Sequence, residues 1–104
     1  MSVTVIVTIQ AKPETYEDFV SLAQEELEFT RSSQGCHAVH VSTDADSHVL
    51  KLVQFWESKE LFMQYFEKRL ERSGEVFEKV LMGMPVMEFY DTLDWGYGAE
   101  YNGS

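Results

Sequence analysis

The sequence predicts an α+β fold of split βαβ topology, a four-stranded antiparallel sheet with helices on one face. Three observations lead to it. β-Branched segments of alternating polarity stand near both ends and twice in the middle of the chain; stretches between them repeat their apolar residues every three or four positions; and the order of these signals is β-α-β-β-α-(α)-β, the bracket marking a short extra helix. A chain of 104 residues suffices for one such domain, here placed over residues 1–91 with a tail over 92–104. A domain of this size hides roughly two-thirds of its unfolded surface.

"VTVIVTIQA", from Val3, opens as a strand, with Val3, Val5, Val7 and Ile9 on one side and Thr4, Ile6, Thr8 and Gln10 on the other. Pro13 suits the first turn of a helix, where its missing N–H is not needed. From there Tyr16, Phe19, Val20, Ala23, Leu27 and Thr30 form a helical stripe that ends between Arg31 and Gly35, a residue free to adopt a left-handed cap. "CHAVHVST" and "HVLKLVQFW" read as a hairpin joined by "DADS". Ser58 can cap a second helix carrying Leu61, Phe62, Tyr65, Phe66 and Leu70 inward. After Ser73 and Gly74 a shorter segment turns Val76, Phe77, Val80 and Leu81 inward, with Gly83 and Pro85 as stops, and "VMEFYDTL" is the last strand. The tail is glycine-rich but carries Trp95, Tyr97 and Tyr101, and an exchange of this arm between two copies is expected for Trp95 and Tyr97.

The strand over residues 49–56 is apolar on both sides: Val49, Val53 and Phe55 on one, Leu50, Leu52 and Trp56 on the other. A sheet covered on one face only should be polar on the second. Leaving four such side chains wet would cost several kcal/mol, at about 1.5–3 kcal/mol each. The simplest cover is the same face of a second copy, giving a homodimer through sheet faces.

Charge narrows the function classes. With 18 acidic against 8 basic side chains the net charge is −10, which opposes nucleic-acid backbones and anionic lipid. Cys36 is the sole cysteine, so no internal disulfide forms; no basic, apolar leader opens the chain and no apolar run nears the ~18 residues of a membrane span. A cytoplasmic protein is expected, with neither nucleic acid nor membrane as partner. No Cys/His/carboxylate spacing points to a metal site.

"LVQFWES" at the strand-to-helix passage, "QAKPETYEDFVSLAQE" opening the first helix and "SQGCHAVHV" starting the second strand resemble the antibiotic biosynthesis monooxygenase domain family, of the dimeric α+β barrel superfamily, over about residues 3–91. The resemblance implies a ferredoxin-like subunit, a homodimer, and a pocket in each subunit between sheet and helices. It further implies one of several activities: oxidation of phenols or quinols without metal or flavin, haem degradation, isomerisation of small sugars, or none. In the polyketide-oxidising members an Asn precedes the strand tryptophan by four residues and a Tyr follows it by six; Leu52 and Phe62 stand at those places, and Trp56 alone is retained. The positions of the haem-degrading set correspond to Ile6, Tyr65 and about Glu75, and no histidine lies beyond His48. Gln54 stands where quinol-type members carry Glu.

The residues themselves nominate a site. Arg69 falls in the middle of the stripe made by Leu61, Phe62, Tyr65 and Phe66, so its guanidinium must reach water, an internal partner or a ligand anion. Trp56 either stacks on a flat ligand or closes the strand–helix corner, and Gln54 shares its face. Tyr65 can donate to a ligand oxygen or to water. His37 and His40 fall on opposite faces of their strand, and whichever approaches the helices can act as a base toward a phenol. Cys36 reads as a small core residue, and the methionines as core or as an adaptable wall. The expected function is a cofactor-independent monooxygenase acting on a phenolic or quinol-like aromatic molecule, with Trp56, Phe62, Tyr65, Phe66 and Gln54 against the substrate and His37, His40 and Arg69 as catalytic groups. The alternative is a non-catalytic dimeric module that binds a small ligand or another protein.

Overall fold

The structure, a computed structural model, describes residues 2–93 and Trp95. Four strands, β1 (Val3–Gln10), β2 (Cys36–Asp44), β3 (Val49–Trp56) and β4 (Val86–Asp91), form one antiparallel sheet in the order β2-β3-β1-β4. Two helices, α1 (Tyr16–Arg31) and α2 (Lys59–Val80), make the crossovers, which gives the α+β, ferredoxin-like arrangement. A single 3₁₀ turn at Pro13–Thr15 leads into α1, with Pro13 where its absent N–H costs nothing.

Alternation along the strands decides which side chains the helices cover. Val3, Val5, Val7 and Ile9 of β1 are buried, while Thr4, Ile6 and Thr8 are half-buried on the reverse. In β3, Leu50, Gln54 and Trp56 are buried on the helix side, opposite β1 partners Ile9, Val5 and Val3. Trp56, Phe62 and Val5 are fully enclosed and form the centre of the core with Phe19 and Tyr65. Each such side chain stabilises the fold by roughly 1.5–3 kcal/mol.

The helix ends follow from local chemistry. Ser58 accepts the Leu61 amide at 3.2 Å and starts α2. α1 ends at Arg31, where the Ser32 N–H bonds the Glu28 carbonyl, and Gly35 follows with φ 89°. A Cβ on Gly35 would stand 2.6 Å from Leu61 Cδ1, so both backbone angle and close packing require glycine there.

The separate short helix expected after Gly74 is absent: α2 runs unbroken through Ser73 and Gly74 to Val80. One glycine weakens a helix by only about 1 kcal/mol, less than the packing of Ser73 and Phe77 returns. Leu70 and Val76, expected inward, are 36% and 38% exposed, because Arg69, Ser73 and Phe77 occupy the core-facing turns. The hairpin loop is Ala45–Ser47 with His48, which adopts φ 60° and so belongs to the turn rather than to β3.

Among the described residues no layer covers the other face of the sheet, where Ile6, Val49, Val53, Phe55 and Ala38 are half-buried and Val86 and Tyr90 exposed. Beyond β4, Thr92 continues alongside β1, its amide bonding Ser2 and its hydroxyl 2.7 Å from that of Thr4. Trp95 is 75% exposed. Tyr97 and Tyr101 lie outside the described residues.

Candidate functional site

A cleft opens between the helix side of the sheet and the facing sides of α1 and α2. Its free volume, counted as room for the centres of water molecules, is about 80 Å³. A single water needs roughly 10–15 Å³ on that measure, so the space takes several waters or part of a small ring. Val7, Ile9, Leu50 and Leu52 make its floor, Phe19, Ala23 and Leu27 its α1 side, and Phe62, Phe66 and Phe77 its α2 side. Polar groups enter at Thr30, Gln54, Tyr65, Arg69, Ser73 and Glu26.

Arg69 organises that polar end. It lies one helical turn beyond Tyr65 and is 7% exposed. Its Nε donates to the Tyr65 hydroxyl at 3.2 Å, and its Nη2 donates to the Thr30 hydroxyl at 2.9 Å and to the Glu26 carbonyl at 3.1 Å. Thr30 Oγ1 and the Tyr65 hydroxyl are 2.7 Å apart and share a hydrogen bond. All of these acceptors are neutral. Among the described residues Arg69 has no carboxylate partner, and its Nη1 has no protein acceptor. The face of Phe29 lies 4.8 Å from the guanidinium carbons of both Arg69 and Arg72, which supplies some of the missing negative potential.

Glu26, whose carboxylate also feels the Arg69 charge, is bonded by Arg72. Arg72 bonds both of its oxygens, at 3.2 and 3.1 Å, and that bidentate contact holds the Glu26 carboxyl below its ordinary range despite the opposing effect of burial. Arg72, Phe29, Arg69 and Thr30 thus form a layered joint between α1 and α2.

Trp56 lies beneath the cleft rather than in its lining. It is fully enclosed, with Phe62 edge-on at 5.5 Å and Tyr65 tilted at 5.1 Å. Its indole N–H donates to Gln54 Oε1 at 2.8 Å. Because the indole can only donate, this bond fixes the amide: the oxygen faces Trp56, and the NH₂ is the end without a protein acceptor among the described residues. Gln54 is 2% exposed and lines the cleft.

Of the residues nominated from sequence, the fold brings Gln54, Phe62, Tyr65, Phe66 and Arg69 to the cleft, with Trp56 directly behind. It does not bring the histidines. His40 pairs with Val53 on the helix-free face, edge-on to Phe55. His37 sits at a β-bulge between Cys36 and Ala38 and is exposed. The bulge breaks the alternation on which their expected placement rested. Thr30 was visible as a polar residue within an apolar stripe; Glu26, Phe29 and Arg72 carried no signal, since their roles depend on which turns of the two helices meet.

Cys36 is half-buried, and burial pushes its thiol up from the ordinary range, partly offset by a hydrogen bond from the Ala38 amide. Met63, Met82 and Met84 are exposed and Met87 half-buried, so the methionines form no common wall. Among the described residues, no group of three or more His, Cys, Asp and Glu is placed to hold a metal ion, and no helix is long and apolar enough to cross a membrane.

Comparison with known proteins follows the same lines. The profile of the family described as antibiotic biosynthesis monooxygenase matches residues 2–70. Among solved structures, the Mycobacterium tuberculosis protein Rv0793 superposes with a TM-score of 0.76 at 18% identity, covering 90% of this chain and 97% of that one. PA3566 from Pseudomonas aeruginosa gives 0.76 at 20%, covering 88% and 94%. An antibiotic biosynthesis monooxygenase gives 0.75 at 17%, covering 88% and 98%. At these identities the likeness is one of fold. No curated protein matches the chain.

Proposed function

The chain belongs to the antibiotic biosynthesis monooxygenase family, and on that premise we propose that it is a cofactor-independent monooxygenase for a small phenolic or quinol-type aromatic compound bound in the cleft. One observation carries the reading: a buried guanidinium, Arg69, with no carboxylate partner among the described residues and with donors to spare, at the polar end of an aromatic-walled cavity. Burying a cation against neutral acceptors is costly, and a ligand oxyanion at Nη1 offsets that cost. The free volume, about 80 Å³, is roughly half of the 150 Å³ that encloses benzene in an engineered cavity, so a single ring with its far edge in the cleft mouth fits best.

In this reading Phe62, Phe66 and Tyr65 flank the ring, the Gln54 amide and Arg69 hold its oxygen, and Trp56 keeps Gln54 in place. An ionised, electron-rich ring can pass one electron to O₂. Recombination of the radical pair bonds the superoxide to a ring carbon as a peroxide, which takes up a proton from water; its O–O bond then breaks as the ring C–H proton and hydroxide leave as water, so phenol and O₂ become quinone and water with the substrate supplying all electrons. Arg69 contributes by raising the ionised share of the bound phenol, and its positive charge favours the superoxide anion that forms beside the ring. His37 and His40 take no part at the cleft as it stands. A homodimer through the helix-free sheet faces and a cytoplasmic location belong to the same proposal; half-buried Ile6, Val53 and Phe55 support the first.

An oxygen electrode tests it. Purified protein with a panel of single-ring phenols and hydroquinones, assayed at pH values up to those at which they ionise, is expected to consume O₂ above the rate without protein, and Arg69→Met to lose most of that excess. Uptake at the background rate across the panel would remove the enzyme reading. A non-catalytic ligand-binding module is the second reading, favoured by Leu52 and Phe62, which offer the cleft only apolar surface, and by the placement of both histidines away from it. It predicts saturable binding without O₂ uptake.

A further inference from the structure

We propose that the cleft selects its ligand by charge state: it takes the anion of an aromatic hydroxyl compound, ionised in solution before it binds, and withdraws no proton itself. The inference rests on the reading of the cleft as a ligand site. It comes from an asymmetry in the cleft's polar groups. Among the described residues, Arg69 Nη1 and the Gln54 NH₂ are donors without a protein acceptor, and the first of them is charged; the Ser73 hydroxyl, which also lines the cleft, can donate or accept.

The titratable groups facing the cleft are Glu26 from α1 and Tyr65 and Arg69 from α2. From β1, β3 and the segment before β4 come Val7 and Ile9, Leu50, Leu52 and Gln54, and Pro85, none of which titrates. Glu26 is the one group among them with the chemistry of a base, and Arg72 occupies both of its oxygens and keeps it ionised and weakly basic. Counted together, Arg69, Arg72 and Glu26 leave one positive charge at the cleft in a chain of net charge −10. A phenolate takes charge-assisted hydrogen bonds from Arg69 Nη1 and the Gln54 NH₂, whereas a neutral phenol meets the same donors without the charge and must turn its own O–H to Ser73 or to a lone pair left on Gln54 or Glu26. Hydrogen bonds to an ionised acceptor are roughly twice as strong as neutral ones, so the cleft favours the anion.

A chromophoric ligand reads this out directly. 4-Nitrophenol changes colour on ionisation, so its pKa can be titrated free and with saturating protein. The expected result is a bound pKa at least one unit lower, a tenfold or greater preference for the anion, with weaker binding of uncharged nitrobenzene. Arg69→Met should abolish the shift, and Arg69→Lys, which keeps the charge but loses the planar fork, should retain part of it. Binding with an unchanged or raised pKa overturns the charge-state inference and leaves the ligand site standing. Failure of both nitrophenol and nitrobenzene to bind saturably, followed by chemical-shift changes around Gln54 and Phe66, overturns the ligand site and the inference together. The wild-type titration decides the matter even where a variant fails to fold.

Discussion

Gln54 shows how a single residue ties core to cleft. Its carbonyl is the acceptor for the enclosed Trp56 indole, while its amide nitrogen stays free. Gln54→Leu is close in volume but strands a buried N–H, which costs about 1–3 kcal/mol. Urea unfolding of Gln54→Leu should show that loss, and Gln54→Glu, which keeps an acceptor, should lose less. Arg69 was legible in sequence as a cation in the middle of an apolar stripe, and the structure gives it neutral partners and a cavity. What escaped was the identity of those partners, Thr30 and the Glu26 carbonyl, because they sit on another helix whose rotation no local pattern states. The histidines escaped for a different reason: the bulge at His37 inserts a residue that strand periodicity cannot anticipate.

The elements themselves were largely written in polarity and caps: the alternation of β1, the stripe of α1, Ser58 opening α2. The exception was the length of α2, where Ser73 and Gly74 resemble a stop although the inward position needs only a small side chain and no Pro interrupts the ladder. Gly74 has nothing within 4 Å of where a Cβ would stand. Gly74→Ala should therefore stabilise the protein by about 0.5–1 kcal/mol, seen as a raised melting temperature. The Glu26–Arg72 pair links α2 to α1 at a half-exposed position, worth about 0.2–1 kcal/mol. Because the Glu26 carboxyl is lowered in the fold, that contribution is complete above the ordinary carboxylate range and fades as pH falls through the lowered value. Glu26→Gln should thus be less stable than wild type at neutral pH, with the gap closing in acid denaturation profiles.

At the scale of the molecule the sheet has one face that no described residue covers with a second layer. Its helix side is covered by α1 and α2, and its reverse carries Ile6, Val53 and Phe55 between exposed Lys51 and His40, a pattern legible in the sequence of residues 49–56. A second sheet packed face to face would bury such surface. Val53→Glu, at the centre of that face, places two carboxylates across a two-fold axis if copies meet there. Sedimentation should show a dimer for the wild type and a monomer for Val53→Glu at the same micromolar concentration; a wild-type monomer would end the dimer proposal.

Arg69 also bridges two helices that sit at different places in the chain, since the guanidinium that would hold a ligand already grips the last turns of α1 through Thr30 and Glu26. Occupancy of the cleft should therefore be felt along the backbone: amide deuterium uptake over residues 26–31 should slow when an anionic ring binds. The same residues would then serve as a remote gauge of saturation for compounds that carry no colour and consume no oxygen.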